Sequence, residues 1–370
     1  MIGGGSPDSF FGRVHRRAIA LDDTRVLAAG ALRGDPDTAM KAADEWAIEG
    51  FPDYRAMIDA WTDGDLELDY AVIVTPNNVH FEPARACIEA GLPVLCEKPM
   101  TFTVDEAESL RNLVKEKEVP FVLSHTFMGH PMTMLAREMV IRGDIGDIRK
   151  VEAWYRQGWL ATPLETTGNR QAAWRTDPDR TGISNCGGDI GTHAMIAATW
   201  VSGLAVRRVS ARLNVFVEGR VLDDDFNVFA ELENGAMAVI TATQIAVGCK
   251  NEHGFRIFGA EGSIEWEQER AERLLVRRGE HDEVYWLGAG FTYFPEAVAS
   301  YIRVPAGHNE DYFPALANLH TTMERMIRQR RGETVPDPYP HPGADEGAAG
   351  MRFVEAAVQS SAQRGAWTDI

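Results

Sequence analysis

Two separated segments carry side chains that could manage a proton and a negative charge together. Gly187-Gly188-Asp189-Ile190-Gly191-Thr192-His193 sets an aspartate and a histidine four residues apart. On a helix, residues i and i+4 share one face. Histidine is the side chain best suited to take and return a proton near neutral pH. The aspartate would steady the imidazole or share the group being deprotonated. Glu97-Lys98-Pro99 supplies a cation suited to a developing alkoxide. Such a set could remove a hydroxyl proton while hydride leaves the same carbon. The bland alternative is that Asp189 caps a helix and His193 is a satisfied core histidine. Cys186, Asp189 and His193 could also be read as metal ligands. Three mixed ligands without a partner cluster make a poor site, and no metal is expected.

A second kind of chemistry sits at the chain start. Gly3 and Gly5 fit the first two places of a G-x-G-x-x-G phosphate loop, and Gly12 is a displaced third glycine after Ser6 to Phe11. A helical stretch, Arg13 to Leu21, follows. Glycines before a helix let backbone approach a pyrophosphate, which then meets the free N–H groups of the helix start. A dinucleotide fold needs a central strand ahead of this loop, and only Met1 and Ile2 are left to supply it. The sequence reads as if it began inside that strand, as an upstream start or a missing N-terminal segment would produce. A vestigial first strand is expected. Arg33 follows the second apolar run, where an arginine can pair with a 2′-phosphate and an acidic residue with a ribose hydroxyl. The cofactor is NAD or NADP.

The elements that must position these residues alternate over the first 130 residues. Strands are expected at Arg25 to Leu32, Tyr70 to Thr75, Leu92 to Glu97 and Val119 to Ser124. Helices are expected at Pro36 to Trp46, Val79 to Ala90 and Val104 to Lys117. Apolar strands alternating with helices predict a parallel sheet covered on both faces. Thr75-Pro76-Asn77-Asn78-Val79-His80 and Glu97-Lys98-Pro99 then fall at strand carboxyl ends, where open α/β sheets bind ligands. Beyond about residue 145 long strand-like runs dominate: Ile148 to Gln157, Val206 to Val217, Asn227 to Leu232, Ala236 to Ala246, Phe255 to Gly259 and Ser263 to Glu267. Asn234-Gly235 marks a hairpin. Helices are expected at Asp189 to Val201, near Glu310 to Arg331 and at Ala344 to Ala362. The fold class is α/β. A Rossmann domain over residues 1–130, its first strand truncated, precedes an α/β domain over 131–370 with a large, mainly antiparallel open sheet.

Bulk composition narrows the partners. A chain of 370 residues exceeds one ordinary core and suits two domains. Its apolar content of 45% argues against disorder. A net charge of −18 repels a phosphate backbone, so nucleic acid is not an expected partner. No apolar run reaches the length of a membrane span, so no membrane partner is expected. Four cysteines without a C-x-x-C pair read as free thiols, and with no signal peptide visible a cytoplasmic location is expected.

In order and spacing, the T-P-N-N-V-H, E-K-P and G-G-D-I-G-T-H blocks resemble the Gfo/Idh/MocA oxidoreductases, the glucose–fructose oxidoreductase and inositol dehydrogenase family. The resemblance runs over essentially the whole chain and departs from the family pattern at the displaced third glycine. It implies a Rossmann domain followed by an α/β domain with an open sheet. By this resemblance Lys98 orients the reacting hydroxyl, Asp189 assists and His193 is the acid/base. The implied cofactor contacts are Gly3, Gly5, Ser6, Phe11, Gly12, Arg33, Thr75, Pro76, Asn77, His80, Glu97 and Lys98. Gln157, Trp174, Arg175 and His125 are expected near the substrate, because sugar sites pair an aromatic face with hydrogen-bonding side chains. The activity implied is NAD(P)-dependent hydride transfer at a ring hydroxyl or ketone of a sugar, anhydrosugar or cyclic polyol. A keto-sugar reductase working in reverse, and a non-catalytic dinucleotide-binding regulator, are the alternatives. The family commonly forms homodimers or homotetramers.

Overall fold

The computed structural model of the chain describes every residue except Ser6, Pro7 and Asp8. Ser6, an expected cofactor contact, therefore lies outside the described residues.

In chain order the first part runs β1 (Ile2–Gly3), α1 (Phe10–Ala20), β2 (Ala29–Gly30), α2 (Pro36–Trp46), β3 (Glu49–Gly50), α3 (Tyr54–Asp63), β4 (Ala71–Val74), α4 (Phe81–Ala90), β5 (Val94–Cys96), α5 (Val104–Lys117) and β6 (Phe121–Leu123). The second part continues α6 (Pro131–Ile141), β7 (Ile148–Arg156), α7 (Arg170–Arg175), α8 (Pro178–Thr181), α9 (Thr192–Ser202), β8 (Val206–Asn214), β9 (Asp225–Leu232), β10 (Met237–Thr243), β11 (Glu252–Gly259), β12 (Ser263–Glu267), β13 (Arg273–Arg278) and β14 (His281–Trp286). It closes with α10 (Glu296–Ala299), α11 (Tyr312–Arg330), α12 (Ala344–Ala362) and β15 (Thr368–Asp369).

The chain divides into two compact units. One is Met1–Gly129 with Tyr312–Ala348, and the other is His130–Asp311 with Ala349–Ile370. The segment 312–348 was expected with the second domain but belongs to the first unit. The reason is apolar packing. Leu316, Leu319, Met323 and Ile327 of α11 share one buried core with Val14, Ala18 and Ile19 of α1.

In the first unit β1, β4, β5 and β6 form a parallel sheet in that order, and β2 pairs with β3 in parallel. A bridge from Ile2 to Ala31 joins the two sets. The combined order 3-2-1-4-5-6 is that of a doubly wound dinucleotide fold. The central strand is two residues long, as expected. Arg25 to Leu32 is strand only at Ala29–Gly30, because β1 and β3 each offer only two residues to pair with. Helix α1 starts at Phe10 rather than Arg13. Ser9 caps it, accepting the Gly12 N–H at 3.3 Å.

The second unit is built on a nine-stranded sheet of order β14-β13-β12-β11-β7-β10-β9-β8-β15. Only the β10–β7 pair is parallel. Helix α9 packs on β7, β10 and β11 and is buried nearly all round. Its sequence, THAMIAATWVS, is accordingly apolar on every side. No helix is long and apolar enough to cross a membrane among the described residues.

Candidate active site

The first unit builds a glycine cradle at the carboxyl end of its sheet. Gly3 N–H donates to Ala31 O at 2.9 Å and Gly5 N–H to Leu32 O at 3.1 Å. These bonds hold the loop against the end of β2, one residue from Arg33. Gly3 and Gly4 have φ near +80°, a backbone that favours glycine. A Cβ on Gly12 would lie 2.1 Å from Gly4 O. Gly12 therefore does the work of the third glycine, letting α1 press onto the loop despite the longer spacing. Such a cradle fits a pyrophosphate, with α1 starting beside it. Phe11 does not simply face the loop. It packs against the unit's apolar core.

The next two strand ends carry Thr75, Pro76 and Asn77 after β4 and Glu97 and Lys98 after β5. His80, expected as a cofactor contact, is a buried brace between them. Its Nδ1 lies 2.7 Å from Pro99 O and its Nε2 2.9 Å from Thr75 O. Burial pushes its pKa down, against the pull of those carbonyls. Glu97 is also buried, and its Oε1 lies 2.8 Å from His15 Nε2. Burial pushes this carboxyl up, but His15, Lys98 and Ser124 outweigh it, and the net shift is downward. His125 follows β6 and is buried in the same unit.

In the second unit, Asp189 and His193 stand where glycines widen the chain. Residues Gly187–Gly191 form a π-helical turn that leads into α9, in place of the regular helix expected from Asp189. Gly187 packs so tightly that a Cβ would lie 2.4 Å from Ser184 Oγ and 2.5 Å from the Phe226 ring. Asp223 anchors the turn. Its carboxylate accepts Asn185 N–H at 2.9 Å and Gly187 N–H at 3.0 Å. Burial pushes Asp223 up to about 6.

Asp189 is held on one oxygen by two donors, Arg175 Nε and Gln244 Nε2, each at 2.9 Å. Gln244 is itself fixed by Asn185 Nδ2, at 2.9 Å from its Oε1. Arg175, expected near the substrate, is buried, donates to Asp189 and Gln171, and stacks on Trp174 at 4.3 Å and Trp159 at 5.5 Å. Trp159 Nε1 donates to Gln157 Oε1, and Gln157 Nε2 and the Tyr155 hydroxyl both donate to Asn251 Oδ1. The Tyr155 ring meets His193 edge-on at 5.7 Å. A continuous girdle thus runs from Asp189 through Arg175, Trp159, Gln157, Asn251 and Tyr155 to His193. The structure brings Gln157, Trp174, Arg175, Asp189 and His193 together within this unit. Sequence reasoning missed Tyr155, Gln244 and Asn251. Gln244 carried a faint signal, as the one amide inside the expected strand from Ala236 to Ala246.

No group of three or more His, Cys, Asp or Glu is placed to hold a metal among the described residues. Cys87, Cys96 and Cys186 are buried free thiols and Cys249 is partly exposed.

Residues 1–138 match the oxidoreductase family with an NAD-binding Rossmann fold, and residues 133–265 match the GFO/IDH/MocA C-terminal domain. The chain belongs to the Gfo/Idh/MocA oxidoreductases. It is an NAD-binding enzyme of that family. Levoglucosan dehydrogenase of Pseudarthrobacter phenanthrenivorans is 30% identical over 75% of this chain and 75% of its own length. An oxidoreductase from Sinorhizobium meliloti has a similar structure, with TM-score 0.88 and 34% identity, over 99% of this chain and 98% of that one. An inositol dehydrogenase homolog from Azotobacter vinelandii, solved with NAD+, has TM-score 0.90 and 30% identity, over 100% of this chain and 96% of that one.

Proposed function

We propose that this Gfo/Idh/MocA oxidoreductase oxidises a ring hydroxyl of a sugar, anhydrosugar or cyclic polyol, with NAD or NADP as hydride acceptor. The observation that carries the reading is the girdle of the second unit. It sets an anchored carboxylate and a histidine among tryptophans and amide side chains, the mixture that receives a polyhydroxylated ring. The names of the relatives, a levoglucosan dehydrogenase and an inositol dehydrogenase homolog, point to the same substrate class.

The nicotinamide supplies the hydride acceptor when bound. The chain's residues do the rest. Gly3, Gly5 and Gly12 admit the pyrophosphate, and Thr75, Pro76 and Asn77 line the strand end beyond it. Arg33, which follows the Leu32 that anchors the loop, would pair with a 2′-phosphate. Lys98 offers positive charge to the hydroxyl oxygen as its proton leaves. His193 accepts that proton at a ring nitrogen. Asp189, with one oxygen held by Arg175 and Gln244, presents its carboxylate to the same hydroxyl or to the imidazole. Trp174 and Gln157 contact the ring, while Arg175 acts through Asp189.

A cytoplasmic location suits the free thiols. A homodimer or homotetramer, as the family resemblance implies, would use the open nine-stranded sheet.

The test is a screen of inositols, anhydrosugars and aldoses with each nicotinamide, following absorbance of the reduced cofactor. Lys98→Ala and His193→Ala should each lower kcat by about 10²–10⁴-fold while leaving cofactor affinity within a few-fold. Full turnover in both variants would overturn these roles.

A further inference from the structure

The first unit holds a buried line of titratable groups that the hydride-transfer reading leaves unused. It begins at Glu97, the neighbour of Lys98. Glu97 Oε1 is 2.8 Å from His15 Nε2, His15 Nδ1 is 3.1 Å from His320 Nε2, and His320 Nδ1 is 2.9 Å from the Tyr70 hydroxyl. His15 and His320 are fully buried. Tyr70 lies just before β4, at the amino end of the sheet, and lines an open cavity of about 940 Å³. Arg25, Asp69, Glu324 and Arg331 share that wall. The line therefore crosses from the carboxyl end of β5 to the opposite end of the sheet.

With one proton on each ring, the bonds run in one direction. Glu97 is a net-depressed carboxylate and only accepts, so His15 donates to it from Nε2. With one proton per ring, His15 Nδ1 is then the acceptor for His320 Nε2–H. His320 Nδ1 in turn accepts the Tyr70 proton. Burial pushes the Tyr70 phenol up and His320 well down, so the phenol keeps its proton and the His320 ring stays neutral. Every donor points toward Glu97, and each bond polarises the next.

We propose that Tyr70, His320 and His15 form a proton wire that exchanges protons between Glu97 and water in this cavity. In one passage the Tyr70 proton moves to His320 Nδ1, the His320 Nε2 proton to His15 Nδ1, and the His15 Nε2 proton to Glu97. Water re-protonates the Tyr70 oxygen. Only these O–H and N–H bonds break and form, and one proton arrives at Glu97 for one taken from water. The reverse passage exports a proton and restores both tautomers. Its use in turnover rests on the role given to Lys98 above: with His15 Nε2 protonated the wire carries a proton only toward Glu97, so it supplies the proton that reducing a ketone consumes, and it takes up the proton of the oxidative direction once both rings have shifted to Nδ1–H.

The test reads the wire directly. Histidine-labelled (15N) enzyme with NAD+ bound should show His15 and His320 each protonated at Nε2. Exchange of the His15 Nε2 proton with water should slow at least about tenfold in Tyr70→Phe, which removes one oxygen and so spares the fold, since exchange would then need local opening. His320→Gln, cut at the middle, should slow it equally. In the reductive direction, both variants should take up protons later than NADH is consumed, as seen with a pH indicator in stopped flow. Unchanged exchange in Tyr70→Phe, or a His320 protonated at Nδ1 in the unmodified enzyme, would overturn the wire. Unchanged turnover in Lys98→Ala would instead overturn the lysine's role and leave the exchange result standing.

Discussion

Arg175→Met separates a positioning arginine from a substrate-binding one. Methionine keeps much of the apolar stem between Trp159 and Trp174 but removes the charge and every donor. Asp189 then loses Arg175 Nε and keeps Gln244 Nε2 on the same oxygen. The Arg175 and Asp189 side chains are 9% and 12% exposed, so solvent replaces little of the lost bond. Removing one partner of a buried ion pair costs about 3–5 kcal/mol, and the surviving amide brings that down to about 2–4 kcal/mol. For a unit of this size, a loss of about 3 kcal/mol lowers Tm by about 6–12 °C. The decisive comparison is the double variant with Asp189→Asn, which removes the stranded charge. Urea unfolding of the four proteins should give a coupling of about 2 kcal/mol, with the double variant more stable than the sum of the single losses. An unchanged Tm in Arg175→Met, or strictly additive losses, would refute the pairing as the arginine's main role.

Two further outcomes follow from single atoms. Gly12→Ala puts a Cβ 2.1 Å from Gly4 O. It should cost about 1–3 kcal/mol of stability and weaken NAD+ binding at least about tenfold by calorimetry. Gly34→Ala, with nothing within 4 Å, should do neither. Asp223, raised by burial to about 6 from 3.8, stabilises the fold most when protonated. That contribution is complete below pH 3.8 and is lost as pH rises through about 6. The gap corresponds to about 3 kcal/mol. Urea unfolding at pH 4.5 and 7.5 should therefore show Asp223→Asn gaining stability relative to the parent at the higher pH, and a constant difference would contradict it.

Periodicity and turn chemistry made the α/β order legible, down to α12, whose bounds match the expected Ala344 to Ala362. Glycine spacing marked the cradle, and only the structure shows why Gly12 can serve so far downstream. Strand extent was less legible, because Arg25 to Leu32 looks like a strand until its neighbours prove too short to pair with it. Segment 312–348 was misplaced because an apolar helix face does not say which core it joins. Arg175 was recognised as part of the site, but its bond to Asp189 was not legible. Its partners lie at positions 171, 189 and 244, and no local pattern links them. His15 and His320 are 305 residues apart, and nothing in either neighbourhood announces the other.

The return of the chain to its first unit bears on how the protein is made. When the ribosome has finished residue 129, the nucleotide module still lacks α11 and the side of its core formed by Leu316, Leu319, Met323 and Ile327. About 200 further residues must emerge before residue 348 arrives. At ordinary rates of synthesis that interval is about 10–40 s. During it Val14, Ala18 and Ile19 present an uncovered apolar surface to solvent, so the nascent chain is a natural client for a chaperone acting at the ribosome.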